Sequence, residues 1–329
     1  MNILITGIHG FVGSNLVKAL ASDHTIYGLD IISPDKKGIK KTFSWDDLDK
    51  VSFPSIDAII HLAGKAHDTR NKSAAEIYFK VNTGLTQRIF DWFLKNQQAS
   101  KFIFFSTVKS AADKVESDYL TEECIPTPTG PYGESKIKAE NYIIEHFAPE
   151  ALKRPYHNFD DSDSIINGKQ VYIMRPCMIH GPGNKGNLNL LYGVVSKGIP
   201  WPLGAFDNRR SFTSIANLCV VIEGLLTKPI SSGIYHVGDD EALSTNELIE
   251  IICEALGRKA HIWHIPKGVM NGVAKVGGWL HLPLNPLRMQ KLTESYVVSN
   301  AKIKAALGID KMPVSAKDGL INTIKSFRK

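Results

Sequence analysis

Short apolar runs punctuate the chain at intervals, with helical patterns between them. Ile3-Leu4-Ile5, Thr25 to Leu29, Ala58-Ile59-Ile60, Phe102 to Phe105, Val171 to Met174 and Ile234 to Val237 read as strands. Ser14 to Ala21, Ala74 to Leu94 and an amphipathic stretch opening at Pro131 read as helices. This βαβ alternation predicts an α/β protein built on a parallel, doubly wound sheet. Later segments break the rhythm. A helix is expected from Leu188 to Val195 with Asn187 as its cap, another follows the capping box Ser244-Thr245-Asn246-Glu247, and Val269 to Leu284, with Trp279 and several glycines, comes nearest to a membrane-surface element but is better explained as a helix packed in a second lobe. Asp46 or Asp47 is expected to cap a helix start after Phe43, and the polar stretch from Lys153 to Gln170 reads as a long surface loop.

The first strand runs into Thr6-Gly7-Ile8-His9-Gly10-Phe11-Val12-Gly13, with glycine at every third position. Such a turn lets the backbone approach a pyrophosphate and aims helix N–H groups at it. Three glycines suit any tight strand-to-helix turn, so the motif gains weight from Asp30, which ends the second apolar run 17 residues after Gly13. An acid there accepts the ribose hydroxyls and repels a 2'-phosphate, which favours NAD over NADP. Lys36 and Lys37 lie further on, in a polar loop, and read as solvated charges. His61 reads as a structural histidine, and the small residues of Leu62-Ala63-Gly64 allow a ligand to lie close.

Composition narrows the class of protein. At 329 residues the chain exceeds what one nucleotide-binding sheet needs, so a second lobe is expected. A net charge of +6 with interspersed signs argues against nucleic-acid binding and leaves room for an anionic small substrate. Cys124, Cys177, Cys219 and Cys253 have no paired short spacing, so neither a zinc site nor a disulfide framework is suggested. Without a signal peptide or an apolar run of spanning length, a cytoplasmic location is expected.

Chemistry enters at Pro131-Tyr132-Gly133-Glu134-Ser135-Lys136, where a four-residue spacing puts Tyr132 and Lys136 on one helix face. A phenol is a poor base at neutral pH, but a neighbouring ammonium and a cationic nicotinamide favour its ionised form. The pair could then take a proton from an alcohol while hydride leaves the same carbon.

The glycine turn, Asp30, His61-Leu62-Ala63-Gly64, Val81-Asn82, Ser106-Thr107, Tyr132 with Lys136, and Arg175-Pro176-Cys177-Met178-Ile179-His180-Gly181-Pro182-Gly183 occur here in one order. In that order they resemble the extended short-chain dehydrogenase/reductases, in the nucleotide-sugar epimerase/dehydratase family. The resemblance implies a Rossmann-type domain over 1–180, rejoined at about 210–238, and a smaller nucleotide-sugar lobe over 181–209 and 239–329. It implies NAD bound by Gly7, Gly10, Phe11, Val12, Gly13, Asp30, Leu62, Ala63, Gly64, Asn82 and Lys136. Thr107, 25 residues before Tyr132, would hold the reacting sugar oxygen, Tyr132 would be the acid/base, and Lys136 would also grip the nicotinamide ribose.

For the substrate, a UDP-linked sugar, the resemblance points to Asn187, Trp201, Arg210 and Arg288, with Arg210 preferred over Arg209 as the phosphate ligand. Related 4,6-dehydratases carry Asp-Glu directly after the threonine, and fucose-synthase-like enzymes a cysteine. Here Val108 and Lys109 stand there, which disfavours both and leaves chemistry at C4 alone, as a 4-epimerase or as a 4-reductase acting on UDP-4-keto-6-deoxy-hexosamines. Cys177 then reads as a packed thiol. A non-catalytic dinucleotide sensor is disfavoured because Thr107, Tyr132 and Lys136 are all present. Relatives pair through the helix containing Tyr132 and the one before it, so a homodimer is the analogy.

Overall fold

The computed structural model describes residues 1–66, 74–184, 186–279 and 285–327, apart from the side chains of residues 287, 288 and 291. Seven parallel strands form the central sheet: β1 (Asn2–Thr6), β2 (Thr25–Leu29), β3 (Lys41–Phe43), β4 (Ala58–His61), β5 (Lys101–Phe105), β6 (Gln170–Pro176) and, after β7 and β8 of the second lobe, β9 (Gly233–Val237). Their order is β3-β2-β1-β4-β5-β6-β9, so the direction of winding reverses between β1 and β4. In such sheets the ligand crevice opens outside the carboxyl ends of the strands at that reversal.

The continuous apolar runs follow from burial on both faces. Ile3 and Ile5 point into a core shared with Leu16, Leu20, Leu218 and Val221, whereas Leu4 points into the opposite core with Phe90, Phe93, Ala139 and Ile143. Helix α1 (Phe11–Leu20) covers the first face together with a later helix, Ile215–Thr227. The second face carries α3 (Leu85–Lys95) and α5 (Gly130–Phe147), which follow the short helices α2 (Ala75–Tyr78) and α4 (Val108–Ala111). The helix expected over 74–94 is therefore interrupted: Phe79–Gly84 is wound as a π-helix, a form that recurs at functional sites.

A second lobe has its own core, in which Leu188, Trp201, Leu248, Ile252, Ala274 and Leu320 pack together. Strands β7 (Met178–His180) and β8 (Phe212–Ser214) pair in parallel at its junction with the sheet. Helix α6 (Asn187–Val195) starts one residue earlier than expected, α7 is the Ile215–Thr227 helix, and α8 (Thr245–Leu256) has the capping box read from the sequence. The remaining helices are α9 (Lys267–Trp279), α10 (Pro286–Thr293), α11 (Ala301–Leu307) and α12 (Ala316–Ser326). Residues 280–284, the end of the helix expected there, lie outside the described residues.

Two expectations fail here for identifiable reasons. Asp47 starts no helix; its carboxylate accepts the Ser44 N–H at 2.8 Å and closes a turn. The stretch after Phe147 is not a plain loop. It forms short 3-10 turns at Pro149–Lys153, Pro155–His157 and Asp161–Asp163, tied by Arg154 to Asp160 and Asp163. Lys169 then donates to the carbonyls of Asn96 and Ala99 beyond α3, so a polar sequence is ordered by ion pairs and caps rather than by an apolar face.

Candidate functional site

The glycine turn is compressed to a degree that side chains would forbid. Gly7 has φ +67°, and a Cβ there would lie 2.9 Å from the Ala63 nitrogen; a Cβ on Gly13 would lie 2.6 Å from the Ile8 carbonyl oxygen. The first turn therefore packs directly against the exit of β4, where Ala63 donates its N–H to Thr6 Oγ1 at 3.0 Å. Phe11 and Val12 open α1, whose first-turn N–H groups face this crevice end of the sheet. Asp30, directly after β2, accepts the backbone N–H of His9 at 3.0 Å and of Ile31 at 2.7 Å. Its carboxylate keeps lone pairs for ribose hydroxyls, so the residues present fit a dinucleotide. Lys36 is not a free solvated charge: its ammonium donates to Ser14 Oγ at 2.6 Å, over the first turn of α1.

His61 is fully buried and satisfied on both ring nitrogens, by Thr6 Oγ1 at 2.6 Å and Thr86 Oγ1 at 2.9 Å. Burial, helped by the Lys136 charge, holds its pKa well below the ordinary histidine value. It is structural.

Beyond β4, Gly64 lies between two functional side chains. A Cβ there would stand 3.1 Å from Asn82 Oδ1 and 3.2 Å from Lys136 Nζ. Asn82, in the π-helical turn, accepts the Lys65 N–H at 2.7 Å and donates to the Lys65 carbonyl and to Ser135 Oγ. Lys136 donates to the Phe105 carbonyl at 2.7 Å. Burial pushes its pKa down to about 8, opposed by the carboxylate of Glu140.

Thr107 caps α4, its hydroxyl accepting the Lys109 N–H, and that hydroxyl lies near the Tyr132 phenol. Burial raises the phenol's pKa, and the neighbouring Thr107 hydroxyl lowers it in part. The Lys136 ammonium is held by the Phe105 carbonyl, with the Glu140 carboxylate nearby. Tyr132 also meets Tyr78 edge-on at 6.4 Å.

Sequence reasoning missed what lies under this group. Glu140, one turn beyond Lys136, is fully buried and pairs with Arg175, whose Nη2 is 2.6 Å from its Oε2. Ser106 and Ser110 both donate to Glu140 Oε1. The carboxylate thus ties β6, the start of α4 and the Tyr132 helix into one unit. Extending the four-residue spacing of Tyr132 and Lys136 by one step would have found it. Ser135, which accepts from Asn82 and donates to the Tyr132 carbonyl, carried no such signal.

The substrate-side residues fare differently. Asn187 is the exposed first residue of α6, with Gly186 as the cap position and no side-chain cap; Asn184 accepts the Gly186 N–H instead. Asn184 is buried and tightens the turn before the helix, which leaves Asn187 free at the surface. Trp201 is buried in the second-lobe core, with its backbone bonded to His261 and Trp263. Arg210 is half-buried and donates from Nε to the Glu294 carbonyl at 2.9 Å, while its terminal nitrogens take no hydrogen bond among the described residues. Lys109 lies close enough to Arg210 to sense its charge: burial lowers the Lys109 pKa, Asp113 and Glu294 oppose the shift, and Arg210 adds a little to it. Arg209 is exposed and donates to the Ala242 carbonyl. The side chain of Arg288 and residue Lys185 lie outside the described residues. Cys177 is buried beside Val108 and Tyr296, and burial raises its pKa, as a packed thiol requires.

The NAD dependent epimerase/dehydratase family matches residues 3–238. A UDP-glucose 4-epimerase of Vibrio cholerae is 28% identical over 99% of this chain and 95% of its own. An N-acetyl-alpha-D-glucosaminyl-diphospho-ditrans,octacis-undecaprenol 4-epimerase of Escherichia coli O157:H7 is 26% identical over 92% of this chain and 84% of its own. The crystal structure of a UDP-glucose 4-epimerase from Thermotoga maritima, solved with UDP-glucose, superposes with a TM-score of 0.73 at 20% identity over 100% of this chain and 99% of that one.

Proposed function

The chain belongs to the NAD-dependent epimerase/dehydratase family, and from that premise we propose that it is a 4-epimerase of a nucleoside-diphosphate sugar, with UDP as the nucleotide. The observation that carries the reading is the gathering of Thr107 and Tyr132 with Lys136, Asn82 and Gly64 at the carboxyl edge of the sheet. The similarity to two 4-epimerases over nearly the whole chain supports the position of attack.

Bound NAD supplies the hydride acceptor and a cationic ring. The residues of this chain do the rest. Gly7, Gly10 and Gly13 would clear the path for the pyrophosphate, and Asp30 would accept the adenosine ribose hydroxyls. Lys136, with Asn82, would hold the nicotinamide ribose. Thr107 would position the sugar C4 oxygen against the Tyr132 phenol, which takes the hydroxyl proton and returns it to that same oxygen once the keto sugar has turned its other face to the cofactor. Val108 and Lys109 offer no carboxylate pair after Thr107, which supports redox at C4 without loss of water. The lobe formed by 181–209 and 239–329 would hold the nucleotide sugar, with Arg210 on its diphosphate.

The second reading is a 4-reductase, supported by a GDP-6-deoxy-D-mannose reductase of Pseudomonas aeruginosa that is 24% identical over 77% of this chain. A reductase exchanges cofactor at each turnover, whereas a 4-epimerase keeps it. Heat-denatured protein should release about one NAD per chain, and the native enzyme should interconvert UDP-glucose and UDP-galactose, or their N-acetyl forms, without added cofactor. Cofactor-free protein that consumes NADH with a 4-keto sugar would overturn the epimerase reading in favour of the reductase.

A further inference from the structure

Helix α9 buries one stripe, Met270, Ala274 and Gly277, in the second-lobe core, but its other side is not the polar surface that such a helix normally presents. Val269, Val273, Val276 and Trp279 recur there at helical spacing and are 55%, 49%, 56% and 80% exposed. Gly268 and Gly272 lie along the same side with open space around them, so the ridge is smooth as well as apolar. Trp263, just before the helix, is also more than half exposed.

The stretch of chain that carries this ridge is one-sided in charge. From Ala255 to Thr293 the chain has no Asp or Glu, although acids are one residue in ten overall, and it carries Arg258, Lys259, Lys267, Lys275, Arg288 and Lys291. Lys267 and Lys275 are exposed on α9 itself, with Lys275 one turn before Trp279. We propose that this face docks the protein on an anionic lipid bilayer, α9 lying in the interface plane with Val269, Val273, Val276 and Trp279 turned into the acyl boundary and the lysines against the headgroups.

Two features favour this occupant. Apolar ridge, tryptophan and flanking cations are what an interfacial helix needs, since the side chains bury apolar area while the lysine heads stay at the phosphates. A second copy of the chain would bring the same uncompensated cations face to face across a two-fold contact, which is repulsive. The inference does not depend on the C4 chemistry proposed above, because it concerns a face outside the Tyr132 site.

The test uses the full chain with vesicles of equal parts phosphatidylglycerol and phosphatidylcholine, and with vesicles of phosphatidylcholine alone, read by co-sedimentation and by tryptophan emission. The wild type should partition to the anionic vesicles with a blue-shifted emission and release in high salt. Val276→Ser/Trp279→Ser should lower the partition coefficient about tenfold or more. Lys267→Gln/Lys275→Gln should lower it about fivefold for each lysine on anionic vesicles only. All three proteins should retain NAD binding, which shows that they are folded. Absence of wild-type binding to the anionic vesicles, binding unaffected by the Val276/Trp279 variant, or loss in that variant of a self-association that vesicles do not compete with would each overturn the proposal.

Discussion

The cofactor side of the crevice and the substrate side are built by different means. On the cofactor side, most of the residues read from the sequence follow a strand of one sheet by only a few positions: Gly7 after β1, Asp30 after β2, Leu62-Ala63-Gly64 after β4, Thr107 after β5. Strand pairing fixes their relative heights, with Ile5 opposite Ile60 and Ile60 opposite Ile103, so neighbours in the motif list become neighbours in space. On the substrate side no such ruler exists. Asn187, Trp201 and Arg210 come from a helix start and two irregular stretches, and they end in three environments: solvent, core, and a half-buried bridge to Glu294. Motif order is therefore a guide to geometry only where a regular element carries it.

The comparison can be broken first at its strongest point. Tyr132→Phe keeps the ring against Tyr78 but removes the proton carrier, so turnover should fall by about two to four orders of magnitude while NAD and sugar-nucleotide binding persist. Near-wild-type turnover on a substrate of the native enzyme would remove Tyr132 from the chemistry. Next comes the unit beneath it. Glu140→Ala leaves Arg175 buried without its counter-ion, a loss of roughly 3 to 5 kcal/mol that thermal or denaturant unfolding would register. An unchanged melting temperature would mean that the ion pair is not what joins β6 to the Tyr132 helix.

On the substrate side, Arg210→Ala should raise KM for a UDP-sugar by an amount corresponding to about 1.5 to 3 kcal/mol, with kcat less affected, and Arg209→Ala should do little. The reverse result would assign the phosphate to the exposed arginine.

Lys136 sharpens the contrast in another way. Its pKa, lowered to about 8 by burial, predicts that kcat/KM declines above that pH as the ammonium is lost, and that Lys136→Met abolishes this limb and weakens NAD binding. The sign for stability is opposite. The native state holds the lysine proton less tightly than the unfolded chain, so the burial penalty is present in full below pH 8 and is relieved as pH rises towards the ordinary lysine value. A pH-rate profile and unfolding curves at several pH values check both. The smallest effect is expected at Asn187→Ala, within about 0.5 kcal/mol for stability and without change in KM, since the side chain caps nothing. A large rise in KM would bring Asn187 back as a ligand.

Much of the sheet was legible because burial on both faces writes continuous apolar runs such as Phe102 to Phe105, which no surface element needs. Helix interiors were legible and their ends less so: the glycine-turn helix begins at Phe11 rather than Ser14 because its first turn is made of the motif itself. The stretch after Phe147 misled because its order comes from Arg154, Asp160, Asp163 and Lys169 pairing with distant carbonyls and carboxylates, and ion pairs leave no period in a sequence.

The sequence by itself determined the family and the doubly wound sheet, and it marked the glycine turn, Asp30, Thr107, Tyr132 and Lys136 as candidates, because each is encoded within a few residues of a strand or a helix start. Tertiary structure alone decided that Lys136 turns to the Phe105 carbonyl, that Glu140 and Arg175 lock the helix from below, and that Asn187 faces water. Those outcomes depend on which side chains from remote segments reach a buried position first and satisfy its polar groups, a competition that no local pattern records.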